Sequence, residues 1–141
     1  MKRQVYMDHT AGMPVDPRVV EAMLPYFSER YGNPSSIHSW GGKVRKAMED
    51  ARAKIVALVG AKRNEEIFFT SGGTESNNLA IKGVAYRNKD KGNHIVTTAI
   101  EHMSVMNPCK ALLKEGFDVS FVPVDKYGVV DVQSLEKALN D

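Results

Sequence analysis

The chain has 141 residues, 43% of them hydrophobic and 26% charged, the proportions of an ordinary globular domain. That composition excludes a disordered tail, a collagen-like repeat and a membrane-embedded chain. The 19 Lys and Arg against 17 Asp and Glu leave a formal charge of +2, too weak a bias to indicate a nucleic-acid or membrane partner.

In chain order, Met1 to Pro14 reads as a short irregular arm, and 15–141 as the domain that follows it. Pro17 behind Asp16 starts a helix, with Val19, Val20, Met23, Leu24 and Phe27 at helical spacing up to about Arg30. Gly32-Asn33-Pro34-Ser35-Ser36 is a loop by turn chemistry. A long helix is expected from about Ser39 to Val59, with Val44, Ala47, Met48, Ala51, Ile55 and Leu58 as its buried stripe and Gly60 as its stop. The period then changes. Glu66 to Thr70 reads as a strand, Ser71 to Thr74 as a turn, and Glu75 to about Asn88 as a helix. His94 to Thr98 reads as a second strand, and Ser104 to Glu115 as a helix stopped by Gly116. Val119 to Pro123 is a third strand, and Asp131 caps a last helix running to Leu139. Strands alternating with helices predict an α/β fold, part of a mostly parallel sheet with flanking helices.

The strongest local chemistry is Ser71-Gly72-Gly73-Thr74-Glu75-Ser76-Asn77 between a strand and a helix. Two glycines allow a close approach to an anion. The helix start offers unpaired N–H groups and the positive end of its dipole. Ser71, Thr74 and Ser76 add hydroxyls. The bland alternative is a turn with Thr74 as a helix cap. Glu75 competes with a bound phosphate and reads better as stabilising the helix start. The spacing is neither a Walker loop nor a dinucleotide fingerprint.

Glu101-His102 follows the second strand, at the end where a parallel sheet places its ligands. An imidazole there suits stacking on a flat ring or proton transfer. It also suits capping the next helix or bonding Glu101. His9, His38 and His94 have no helical metal-site spacing, so no metal is expected. Cys109, the one cysteine, forbids an intrachain disulfide and reads as a packing residue rather than a nucleophile. A free thiol with seven methionines suits a reducing cytoplasm. No apolar run follows the basic start, so no secretory signal is expected.

Four segments stand in order: Asp8-His9-Thr10-Ala11, Gly32 to His38, Phe69 to Ala80, and Glu101-His102. Together they resemble the NifS/IscS-type cysteine desulfurases of the class V aminotransferase group, with the fold-type I architecture. The resemblance implies pyridoxal 5′-phosphate as cofactor, and L-cysteine as a substrate that gives alanine and an enzyme persulfide. That sulfur would pass to an iron–sulfur scaffold or another acceptor. Gly73 and Thr74 resemble the residues that hold the cofactor phosphate. His102 resembles the catalytic histidine stacked on the pyridine ring. The family reads Ala-Thr-Thr where this chain has Ala11-Gly12-Met13, which bears on substrate. It reads Gly-Ala-Thr where this chain has Gly72-Gly73-Thr74, which keeps the backbone donors.

In the family, the lysine that binds the cofactor covalently lies downstream of these residues. So do the aspartate that pairs with the ring nitrogen and the cysteine that carries the persulfide. The expectation is therefore the N-terminal portion of the enzyme, inactive alone, completed by a separate C-terminal chain, with a homodimer of completed units. Alternatives are another class V enzyme such as a selenocysteine lyase, a non-catalytic scaffold module, or a nucleotide-phosphate binder using the same loop.

Overall fold

A computed structural model describes residues 4–140. One compact unit ends at Phe68 and a second begins at Phe69.

In the first unit, α1 (Pro17–Met23) starts as expected, with the Asp16 carboxylate accepting the Arg18 N–H at 2.8 Å. It does not run to Arg30. Pro25 has no N–H to give the Glu21 carbonyl, so the helix breaks at Leu24 and resumes as α2 (Pro25–Ser28). Its apolar stripe is exposed, with Phe27 74% accessible. Helix α3 (Ser39–Val59) has the predicted bounds and ends on Gly60, whose φ of 69° is the left-handed cap that favours glycine. Its stripe is only partly covered. Val44, Ala47 and Ile55 are half-buried, whereas Met48, Ala51 and Leu58 are exposed. Within this unit the chief element against α3 is the short 3-10 turn Asn64–Glu66, which is too small to cover its length.

Residues 33–38 are tied to the first turns of α3. The His38 ring accepts the Gly41 N–H, and Arg45 donates to the Pro34 and Ser36 carbonyls at 2.8 and 2.9 Å. Gly41 is the buried contact point. A Cβ there would sit 2.5 Å from the Asn33 carbonyl oxygen and 2.7 Å from that of Ser36. Gly41→Ala is therefore expected to destabilise the protein by about 1–3 kcal/mol. Gly42→Ala, with nothing within 4 Å of its Cβ, is expected to be neutral or stabilising. Denaturant midpoints of the two variants check the contrast.

The second unit carries α4 (Gly73–Asn88), β1 (His94–Thr98), α5 (Met103–Lys114), β2 (Asp118–Val122) and α6 (Val132–Asn140). Strands β1 and β2 pair in parallel from His94 opposite Asp118 to Thr98 opposite Val122, with α5 as the crossover. The α/β architecture with a parallel sheet and flanking helices is present. The expected strand over 66–70 is not: the sheet has two strands among the described residues. Ile67 is extended, yet its carbonyl takes an Arg52 guanidinium N–H rather than a place in the ladder. The buried apolar residues, Cys109, Leu112, Phe117 and Val122, lie on α5, on β2 and on the turn between them. Asp131 caps α6 as expected, accepting the Gln133 N–H at 3.1 Å and the Ser134 hydroxyl at 2.6 Å. No helix is long and apolar enough to cross a membrane among the described residues.

Candidate functional site

The cap of α4 is Gly72, not Thr74. Gly73, Thr74 and Glu75 form the first turn, where an α-helix has no carbonyl to offer their N–H groups. A Cβ at Gly72 or Gly73 would meet nothing within 4 Å, so the approach to these donors is open. The loop before them is closed by its own hydroxyls. The Thr70 and Ser76 hydroxyl oxygens lie 2.6 Å apart and each lies 3.2 Å from the Gly72 carbonyl oxygen, so that one hydroxyl donates to the other and the second donates to the carbonyl. The Ser71 hydroxyl and backbone N–H both donate to Glu75 Oε2 at 2.6 Å. Two of the three expected hydroxyl donors, Ser71 and Ser76, are thus spent on the loop. Thr74 makes none of these bonds and stands exposed at the helix start. The Ser71 bonds, side chain first and backbone second, hold the Glu75 carboxyl below its ordinary value. Its charge is satisfied within the loop, as expected of a residue stabilising the helix start.

His102 caps α5. Its Nδ1 accepts the Ser104 backbone N–H at 3.1 Å and lies 2.8 Å from the Ser104 hydroxyl oxygen. Of the bland alternatives, the capping role is present. The bond to Glu101 is absent, because that carboxylate takes the Thr98 hydroxyl at 2.7 Å. The Asn77 side-chain amide donates to the Ser104 hydroxyl at 2.7 Å, joining the second turn of α4 to the first turn of α5. Thr74, Asn78, His102 and Ser104 consequently line one open cleft between these helix starts. Gly73 stands beside Thr74 in the same turn. The three residues singled out from the sequence are thus brought together at the ends of two neighbouring helices.

The remaining histidines are accounted for locally. His38 caps α3, the His94 ring bonds Ser120 across the sheet at 2.8 Å, and the His9 ring meets Tyr6 edge-on at 5.3 Å. No cluster able to hold a metal occurs among the described residues. Cys109 is 1% exposed. Burial, followed by the nearby Glu101 charge, pushes its thiol up, which opposes thiolate chemistry. Sequence reasoning passed over Asn77 and Ser104 as connected residues. The available signal was Ser104 at the second helical position, within reach of a capping histidine.

The family model described as "Aminotransferase class-V" matches residues 5–141. Over 136 residues the chain is 54% identical to "Cysteine desulfurase IscS 1" of Archaeoglobus fulgidus, covering 96% of this chain and 35% of that protein. Over 139 residues it is 53% identical to "Cysteine desulfurase IscS" of Dictyoglomus turgidum, covering 99% and 35%. Among solved structures, a "NIFS-LIKE PROTEIN" superposes with a TM-score of 0.87 at 44% identity, covering 96% of this chain and 37% of that one. The apo cysteine desulfurase of Thermococcus onnurineus gives 0.81 at 33% identity, covering 96% and 34%. The chain thus spans about a third of the length of the relatives it matches.

Proposed function

The chain belongs to the class-V aminotransferase family, and on that premise we propose that it carries the phosphate-anchoring side of a pyridoxal 5′-phosphate site in a cysteine desulfurase. The observation that supports this most is the shared cleft. Thr74, on a helix start with open backbone donors, and His102, on the next helix start, line the same space. The donor set fits the cofactor's phosphate, because first-turn N–H groups and a hydroxyl favour a dianion and the approach is unobstructed. The IscS relatives carry the same activity name, which favours L-cysteine as substrate.

When bound, pyridoxal phosphate supplies an electron sink beside the substrate amino group. The work of this chain's own residues is more limited. Gly73 and Thr74 hold the phosphate. Glu75, locked to Ser71, keeps the loop in shape. His102 is the catalytic histidine, holding a proton at Nε2 as a hydrogen-bond donor while Nδ1 remains on the helix cap. The covalent lysine, the partner of the ring nitrogen and the persulfide cysteine belong to the C-terminal portion of such an enzyme. The exposed apolar residues of α1 to α3, Phe27 and Leu58 among them, support a covering partner of that kind. Residues 1–14 are the arm and 15–141 the N-terminal part of the cofactor domain. The completed units form a cytoplasmic homodimer that passes sulfur to an iron–sulfur scaffold or similar acceptor. The chain alone is inactive.

The test is alanine and sulfide release from L-cysteine by the assembled enzyme, with none from the isolated chain. Turnover of selenocysteine or another amino acid instead would replace the desulfurase assignment. Thr74→Val keeps the shape and removes the hydroxyl. It is expected to weaken cofactor retention about 10- to 150-fold, the worth of a hydrogen bond to a charged group. Bound-cofactor absorbance after dialysis reads this, and unchanged stoichiometry would count against the phosphate site.

A further inference from the structure

We infer that Asn77 and Ser104 form a relay that fixes the tautomer of His102, so that the neutral ring carries its proton at Nε2. The Ser104 backbone N–H can only donate, so the Nδ1 it meets at 3.1 Å must be a bare acceptor. The Asn77 amide nitrogen likewise only donates, so the Ser104 oxygen is the acceptor of their 2.7 Å bond. The Ser104 hydroxyl proton is then directed at Nδ1, 2.8 Å away. Three donors point one way along the chain from Asn77 to Ser104 to His102. Ser104 is 7% exposed, so water competes poorly for the hydroxyl. Reversing the relay at Asn77 turns the hydroxyl away and leaves Nδ1 with the backbone donor alone.

Asn77 and Ser104 are positioning residues. Ser104 also lines the cleft, but both act on the chemistry through the ring. The use of the relay rests on the proposed pyridoxal site, where an Nε2–H ring presents a hydrogen-bond donor and the opposite tautomer would present a lone pair. The geometry itself does not depend on that site.

The experiment is magic-angle-spinning 15N spectroscopy of the assembled enzyme labelled with 15N-histidine, with the His102 signals assigned by their loss in His102→Gln. The wild type is expected to show an unprotonated Nδ1 and a protonated Nε2. In Asn77→Asp the Ser104 hydroxyl turns to the new carboxylate. The Nδ1-protonated fraction is then expected to rise about fivefold, the worth of one ordinary hydrogen bond. Ser104→Ala removes the hydroxyl without adding charge, keeps the backbone donor, and is expected to shift the same way. It carries the test if Asn77→Asp does not fold. A wild-type ring protonated at Nδ1, or a ring spectrum unchanged in Ser104→Ala, overturns the relay. These spectra are read without turnover, so their outcome is separate from whether pyridoxal phosphate binds.

Discussion

His102→Ala in the assembled enzyme is expected to lower kcat for alanine and sulfide release by about 100- to 1,000-fold, the range of a lost hydrogen-bond donor at the reacting centre. It is also expected to weaken cofactor retention. The alanine variant removes two things at once, because the same ring caps α5 through Nδ1. His102→Asn separates them. Asparagine is a strong helix cap and carries no imidazole. The asparagine variant should keep an unfolding midpoint near wild type while its kcat falls as far as that of the alanine variant. Recovery of kcat in His102→Asn would mean that the histidine serves only the helix.

Leu112→Ala is the substitution expected to cost most in stability, about 2–5 kcal/mol for a large-to-small change in a closed core. Leu112 is 0% exposed and sits with Cys109, Phe117 and Val122 at the centre of the second unit. Its carbonyl also accepts the Phe117 N–H at 3.1 Å, so backbone and side chain share the turn from α5 into β2. Leu112→Met, which conserves volume, should cost less than about 1.5 kcal/mol. Denaturant unfolding of the two variants distinguishes a cavity effect from any change at this position.

What was legible in the sequence was local chemistry. Asp16, Gly60 and Asp131 mark helix ends by capping, and each does so in the structure. The bounds of α3 and β1 follow from periodicity. The misses have tertiary or backbone causes. The apolar spacing from Val19 to Phe27 overrode the broken hydrogen bond at Pro25. Residues 66–70 have strand composition, but a strand requires a ladder, and composition does not specify one. The glycines and hydroxyls of residues 71–77 single out the loop before α4, whereas the cap falling on Gly72 and not on Thr74, the bland alternative, depends on backbone geometry that composition does not specify. The bond between Asn77 and Ser104 spans 27 residues and had no local signature.

The buried apolar cluster has a consequence for how the molecule is made. All four of its members fall between Cys109 and Val122, so the core closes over a short length of chain and costs little loop entropy. A ribosome releases α1 through α4 first. Those helices emerge before the residues that form this core, with their apolar stripes still uncovered. The loop before α4 is therefore synthesised early, but the cleft beside it is completed late, when α5 arrives to offer Ser104 to Asn77. Pausing or truncation before Val122 would leave a nascent chain with helices but no folded centre, and chaperone engagement should be concentrated in that window.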